Sequence, residues 1–116
     1  MKIVVKRRRA ILYQDIEGTS PYEEFLDDLR DVVAKAKLMV RVERAETGNF
    51  GDYKHLIDGV FEMKDNFGPG YRIYFAIDGD EIILLLTAGT KRGQDRDIDR
   101  AHSFLADYRH RKGAKK

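Results

Sequence analysis

The chain has 116 residues, of which 42% are apolar and 36% charged, with a formal net charge of +2 and no cysteine. This length suits one domain, residues 1–116, and the composition excludes a disordered chain. The lack of cysteine excludes disulfides and thiolate metal sites. The sequence contains neither an apolar run of the roughly 18 residues that a membrane span requires nor a signal peptide, so we expect a cytoplasmic protein.

Charges are segregated along the chain. Residues 1–9 carry five basic groups and no acid, and residues 101–116 carry five basic groups and one acid, whereas residues 10–31 hold seven acids and one base. Basic ends are suited to an anionic polymer. The alternative is that they are solubilising tails, the second of which begins near residue 109.

An edge strand and a capped helix are predicted for the first part of the chain. Residues 3–5 begin this strand, which is longer if it includes Ile11 and Tyr13. Ser20 and Glu23 have the spacing of a capping box, and apolar residues at helical spacing follow them. We therefore expect the first helix to begin directly after Ser20.

A second helix is predicted from about residue 32 to residue 47, where Gly48 ends it. Its apolar residues cover more than one stripe: Val33, Ala36, Leu38, Val40, Val42 and Ala45. Two interpretations remain open. Either one flank of the helix faces a partner protein, or the helix lies between the first helix and the sheet.

Two strands joined by a glycine-proline turn follow, at residues 60–64 and 71–75. A third strand is predicted at residues 81–86, and residues 88–93 are predicted to form a loop. Side chains in a strand alternate between faces, so one face should be apolar and the other polar and exposed. The polar face should carry Glu62, Lys64, Arg72 and Tyr74.

The last predicted element is a helix that frays into the basic tail near residue 109. Its apolar residues recur at helical spacing: Ile98, Ala101, Leu105 and Tyr108. Together these elements predict an α+β fold, in which two N-terminal helices and a C-terminal helix surround an antiparallel sheet.

Motifs for bound cofactors are absent from the sequence. Residues 68–70 read Gly-Pro-Gly, but they open a strand and not a helix, so they predict a turn rather than a phosphate-binding loop. His55, His102 and His110 lack metal-ligand spacing. We therefore expect no metal and no cofactor.

Cationic side chains from three successive strands suggest a site that acts on a phosphodiester. Lys64, Arg72 and the Lys91-Arg92 pair, with Glu62, resemble the parts of an RNA-cleaving site. Such a site needs a base for the 2′-hydroxyl proton, cations for the phosphate and an acid for the leaving 5′-oxygen. Arg72 suits the phosphate best, because its planar fork binds two oxygens. The alternative is a polar, solvated face without chemistry.

Five segments resemble the phage-derived, HigB-like "addiction module killer" branch of the RelE/ParE toxin superfamily. They are GTSPYEEFL at 18–26, TGNFGD at 47–52, GVFEMK at 59–64, GPGYRIYF at 68–75 and LLLTAGTK at 84–91. Gln94, Asp97, Ile98 and Ala101 continue the pattern. The resemblance spans about residues 18–108 in the same order and spacing.

This resemblance implies a RelE-like fold and the toxin of a type II toxin–antitoxin system. RelE and HigB members cut messenger RNA in the ribosomal A site, which implies a metal-independent mRNA endoribonuclease that inhibits translation. The implied partners are mRNA, the ribosome and a cognate antitoxin with a helix-turn-helix, through which DNA is contacted only indirectly. A ParE-like gyrase poison and a non-catalytic interaction module on the same fold are the alternatives.

Residue roles follow from the resemblance position by position. Lys64 and Arg72 match the sheet lysine and arginine of the family, and Lys91 or Arg92 matches the basic residue after the last strand. With Glu62, we expect Lys64, Arg72 and Lys91 to be catalytic. Arg92 and Tyr74 are expected to bind RNA.

Two positions depart from the RelE pattern. Glu62 stands where RelE has another lysine, and Ile98 falls where RelE has a catalytic tyrosine. Tyr74 or Tyr108 would have to replace that tyrosine, and the sequence does not decide between them.

Overall fold

The computed structural model describes residues 2–114, in which helices pack against both faces of a five-stranded sheet. The strands are β1 (Arg9–Leu12), β2 (Tyr53–Ile57), β3 (Val60–Asp65), β4 (Tyr71–Asp78) and β5 (Ile82–Thr90). The helices are α1 (Pro21–Asp28), α2 (Val32–Glu46) and α3 (Gln94–Ala114), with a short 3₁₀ turn at Lys91–Gly93. The predicted α+β class is confirmed.

The sheet order is β1-β5-β4-β3-β2. Strands β2 to β5 are antiparallel, whereas β1 runs parallel to β5. The sheet is therefore mixed and not wholly antiparallel. The long connection through α1 and α2 takes the chain from β1 at one edge of the sheet to β2 at the other, and β5 later pairs with β1.

Caps define the first two helices. Ser20 Oγ accepts a hydrogen bond from the Glu23 N–H at 3.2 Å, which confirms the predicted start of α1. Asp31 accepts from two backbone N–H groups at the start of α2. Thr47 is the C-cap of α2, and Gly48 follows with a φ of +105°, as the glycine signal predicted.

The strand predictions needed three corrections. Residues 3–5 lie outside the edge strand, which begins at Arg9, and Val4 and Val5 are exposed. Strand β2 was not predicted. The predicted loop at residues 88–93 is wrong in its first half, because the last three residues of β5 pair with the first three residues of β4.

The C-terminal helix is confirmed, and it is longer than predicted. It begins at Gln94 and continues to Ala114 without fraying at residue 109. Residues 115–116 of the predicted basic tail lie outside the described residues. None of the helices within residues 2–114 combines the length and apolar character needed to span a bilayer.

Two hydrophobic cores lie on opposite faces of the sheet. The first packs α1 and α2 against a face that includes Phe61, Met63 and Phe75. The second packs α3 against a face that includes Tyr74 and Leu84. The predicted assignment of Phe61 and Met63 to an apolar face is confirmed, whereas the opposite face is covered by a helix as well.

The outer face of α2 has no cover in the part of the chain that the structure describes. Val32, Val33, Met39 and Val40 are all exposed, and Val32 is 75% exposed. An open groove of about 680 Å³ runs along this face. Leu38 and Ala45, on the inner side of α2, are buried in the first core. The predicted wide apolar surface of this helix is thus divided between the core and solvent.

Candidate functional site

Lys64, Arg72 and Lys91 lie at one edge of the sheet. Lys64 is opposite Arg72 in the β3–β4 pair, and Arg72 is opposite Gly89 near the end of β5. Lys91 follows β5, and its backbone N–H donates to the Gly70 carbonyl at 2.7 Å. The ends of β3, β4 and β5 therefore bring the backbones of these residues close together.

Gly70 lies between two of these cations. A Cβ atom built at Gly70 would be 3.4 Å from Lys91 Cβ and 3.5 Å from Arg72 Nη1. The φ of Gly70 is +79°, a conformation that favours glycine. This glycine therefore makes the turn and leaves the Arg72 guanidinium without a side chain in front of it.

The prediction that the polar face is exposed is wrong for Glu62, Arg72 and Tyr74, which are only 2%, 5% and 0% exposed. Helix α3 crosses this face and buries Ala101 and Leu105 against it. Lys64 is different, since 37% of its side chain is exposed.

Glu62 forms a buried ion pair with Arg72. One Glu62 oxygen lies 3.6 Å from Arg72 Nε, and the other accepts a hydrogen bond from Gln94 Nε2 at 2.8 Å. Because Gln94 is the first residue of α3, the start of this helix is tied to the cation cluster. Glu62 is thus placed to position Arg72, and only 2% of its side chain is exposed to solvent.

Neither candidate tyrosine lies on the accessible part of this edge. Tyr74 is fully buried, and its pKa is raised, first by burial and then by the charge of Glu62. Tyr108 donates a hydrogen bond to Asp78, which is six residues from Arg72 along β4. Six residues of a strand span about 20 Å, so Tyr108 is remote from the cluster.

Asp97 fills a space that only a glycine leaves open. A Cβ atom at Gly89 would lie 2.0 Å from Asp97 Oδ2, so the first turn of α3 sits directly on the β5 backbone. Burial raises the pKa of the Asp97 carboxyl, and Arg100 Nη1 lies 3.6 Å from Asp97 Oδ1. The sequence pattern included Asp97 but gave no sign of this contact.

A bulge in β5 places the Cα hydrogens of Gly89 against α3. Leu86 belongs to the second core and Ala88 to the first, although strict alternation would place them on the same face. The register shifts by one residue between the Tyr74 and Phe75 pairs, which accounts for the change.

Further polar residues at this edge were missed. Lys54 lies opposite Glu62 in the β2–β3 pair and is exposed. Asp52 Oδ2 lies 3.7 Å from Lys64 Nζ, and 65% of the Asp52 side chain is exposed. Both were missed with β2, although Tyr53, Lys54 and His55 alternate as a strand should.

Comparison with known proteins finds a relative of this chain. A protein of Haemophilus influenzae, described as "Uncharacterized protein", is 40% identical over 86 residues, which make up 74% of this chain and 87% of the relative. This chain belongs to the same family as that protein. No family model matches the chain. The name of the Haemophilus family member assigns no activity, so the geometry of the site carries the functional argument.

Metal ligands are not grouped in the described part of the chain. Within residues 2–114, no three His, Cys, Asp or Glu side chains are arranged to hold a metal ion. His55 accepts a hydrogen bond from the Gly59 N–H, and His102 pairs with Asp58. These histidines therefore have structural contacts.

This edge combines one buried positive charge with several exposed ones. Arg72 is buried and held by Glu62, whereas Lys64, Lys91 and Arg92 reach solvent. A preorganised cation with exposed cations beside it can stabilise a phosphate that gains negative charge in a transition state. The exposed carboxylate of Asp52, next to Lys64, is able to accept a proton.

Proposed function

We propose that this protein is the toxin of a type II toxin–antitoxin system, an endoribonuclease that cuts messenger RNA on the ribosome and thereby inhibits translation. The resemblance of residues 18–108 to the HigB-like branch of the RelE/ParE superfamily supports the class. The observation that carries the proposal is the convergence of Lys64, Arg72 and Lys91 at one sheet edge.

In this proposal Arg72 binds the scissile phosphate. Its guanidinium is held by Glu62 and faces the edge beside Gly70, so little rotamer entropy is lost on binding. Lys91 adds a second positive charge at the same edge. Arg92, which is exposed next to Lys91, contacts the RNA on either side of the scissile bond.

Asp52 and Lys64 are proposed to move the protons. Asp52 accepts the proton of the 2′-hydroxyl as this oxygen attacks phosphorus, and the Lys64 ammonium donates a proton to the departing 5′-oxygen. Their separation of 3.7 Å allows both to reach one phosphodiester. The products are a 2′,3′-cyclic phosphate and a 5′-hydroxyl. In this scheme Glu62 is a positioning residue, and Tyr74 has no contact with RNA.

The proposal includes an antitoxin as partner and a cytoplasmic location, where messages and ribosomes are found. The uncovered valines of α2 support a protein partner, because large exposed apolar patches commonly mark protein interfaces. Three bases line this groove and outnumber its two acids: Lys37, Arg41 and Arg44 against Asp52 and Asp65. An antitoxin segment with apolar and acidic residues would therefore suit it.

The test uses purified protein and a defined message, either free or bound to ribosomes as they translate. We expect cleavage of the ribosome-bound message, and a loss of about 10² to 10³ in rate for Lys64→Ala and Lys91→Ala. Lys35→Ala, which removes the same charge from α2 on the opposite side of the sheet, should cut normally. An intact message, together with gyrase-linked DNA breaks in cells, would favour the ParE-like alternative. Absence of both would favour an interaction module.

A further inference from the structure

A second charged groove lies next to the cation cluster. It has a volume of about 590 Å³ and runs past the end of β5, the 3₁₀ turn and the first turns of α3. Three arginines line it at intervals of four residues: Arg92, Arg96 and Arg100. Arg96 and Arg100 lie four apart on α3 and so share one side of it, and Arg92, in the preceding 3₁₀ turn, lines the same groove.

Two of these arginines have no ion pair with any described residue. In the described chain, Arg8 pairs with Asp80 and Arg111 with Asp107. By contrast, neither Arg92 nor Arg96 forms a salt bridge or side-chain hydrogen bond within residues 2–114. Their guanidinium groups are therefore available to an external anion.

Arg100 is shared between two neighbours. It lies 3.6 Å from Asp97 and 5.4 Å from the centre of the Phe104 ring. The carboxylates of the groove are those of Asp97, which is buried, and Asp95, which is exposed. The three arginines thus outnumber the two acids, and one of those acids faces the β5 backbone.

The rest of the groove suits a flexible polymer with flat bases. Phe25 of α1 lines one wall and is only partly buried, with its ring edge-on to Tyr71 at 6.3 Å. Gly89 and Gly93 line the groove without side chains. A cationic groove with an aromatic side chain is the usual design for single-stranded nucleic acid, where phosphates meet arginines and bases stack on rings.

We propose that this groove binds single-stranded RNA flanking the cleavage point, with Arg92, Arg96 and Arg100 on the phosphates and Phe25 against a base. Arg92 directly follows Lys91, so a strand in the groove continues into the cation cluster. The choice of RNA rests on the proposed function. Binding in the groove does not depend on whether the cluster cleaves.

The test measures binding without cleavage. A fluorescein-labelled 12-nucleotide oligouridine with 2′-O-methyl groups lacks the attacking hydroxyl, and its binding to the full chain is followed by fluorescence anisotropy between 50 and 200 mM salt. We expect Arg96→Gln/Arg100→Gln to weaken binding about tenfold and to reduce the slope of log K against log salt by about 1.4. Phe25→Leu should weaken binding about tenfold with the slope unchanged.

The matched control is Arg30→Gln/Lys35→Gln, which removes two charges from the α1–α2 layer on the opposite side of the sheet and leaves both grooves intact. It should bind as the wild type does. Equal binding by the Arg96/Arg100 variant, equal weakening by the control, or tighter binding of duplex DNA of the same length would each overturn the proposal. Cleavage of ribosome-bound message is scored separately, so a groove that binds beside an inactive cluster would refute only the nuclease.

Discussion

Arg72 differs from the other cations of the site because it is buried. Its Nε lies 3.6 Å from the Glu62 carboxylate without a hydrogen bond, its Nη1 donates to the Tyr71 carbonyl at 3.3 Å, and Gln94 donates to Glu62 in turn. Lys64 and Lys91 are more exposed, and the ion pair of Lys64 is with the exposed carboxylate of Asp52. The rigid arginine is therefore the group that sets where a phosphate binds.

Arg72→Ala should lower both stability and toxicity. Removing the guanidinium leaves the Glu62 carboxylate buried without its cation, which costs about 3 to 5 kcal/mol of unfolding free energy. Glu62→Gln/Arg72→Ala removes the stranded charge and should regain much of this loss in urea unfolding, while growth inhibition stays absent. Toxicity in the folded double variant would show that Arg72 has no chemical role.

Tyr22 predicts how stability depends on pH in alkaline solution. Burial raises the pKa of Tyr22 from 10.0 to about 12, so the unfolded chain loses this proton at lower pH than the folded chain does. The contribution of Tyr22 to stability is therefore complete below pH 10 and is lost as the pH rises to about 12, at up to about 1.4 kcal/mol per pH unit.

Urea unfolding of the wild type and of Tyr22→Phe between pH 9 and pH 11.5 measures this effect. The stability of the wild type should decline more steeply than that of the variant above pH 10. Parallel curves would mean that Tyr22 ionises equally well in the folded protein.

At the scale of elements, the sequence predicted those parts that have local signals. Ser20 and Glu23 marked the start of α1, Gly48 the end of α2, and alternation the β3–β4 pair. Ala88 and Gly89 have little strand preference and belong to β5 only because β4 pairs with them. That requirement depends on tertiary contacts, which a single sequence does not reveal.

The burial of the site was unpredictable for a similar reason. Glu62, Arg72 and Tyr74 alternate as they would on a solvated face. Helix α3 has few apolar residues, so its sequence does not indicate that it covers them. The residues of the cluster could be named from strand alternation and family resemblance. The roles of Glu62 and Tyr74 could not, because they depend on what lies above the sheet.

The close approach of α3 to β5 yields a prediction about this element. Gly89→Ala would place a Cβ atom 2.0 Å from Asp97 Oδ2 and push the first turn of α3 away from the sheet. Overpacking of this kind costs about 1 to 3 kcal/mol, and it should also move Gln94 and so weaken toxicity. The readouts are the melting temperature and growth inhibition.

Two further variants make this test specific. Gly89→Ala/Asp97→Ala removes the clashing carboxylate and should regain stability relative to Gly89→Ala alone. Gly113→Ala meets no atom within 4 Å and should not destabilise the protein. Additive effects of Gly89→Ala and Asp97→Ala would show that the contact does not restrain α3.

In the whole molecule, the two faces of the sheet differ in which surfaces they present to solvent. The face under α1 and α2 holds the first core, and the outer side of α2 presents exposed valines. The face under α3 holds the buried support of Arg72, with the exposed lysines and the arginine groove at its rim. In the proposed toxin, the partner protein and the RNA therefore contact opposite faces, which meet at Asp52, a residue of the α2 groove that also lies beside Lys64.

Mapping of 5′ ends across the transcriptome after brief induction tests the nuclease most directly. A ribosome that orients the 2′-hydroxyl can supply part of the rate gain that Asp52 and Lys64 do not. We therefore predict new 5′-hydroxyl ends inside translated regions, in register with codons, and none with the folded Glu62→Gln/Arg72→Ala variant. Ends spread equally over translated and untranslated RNA, or no new ends in growth-arrested cells, would contradict a ribosome-dependent nuclease.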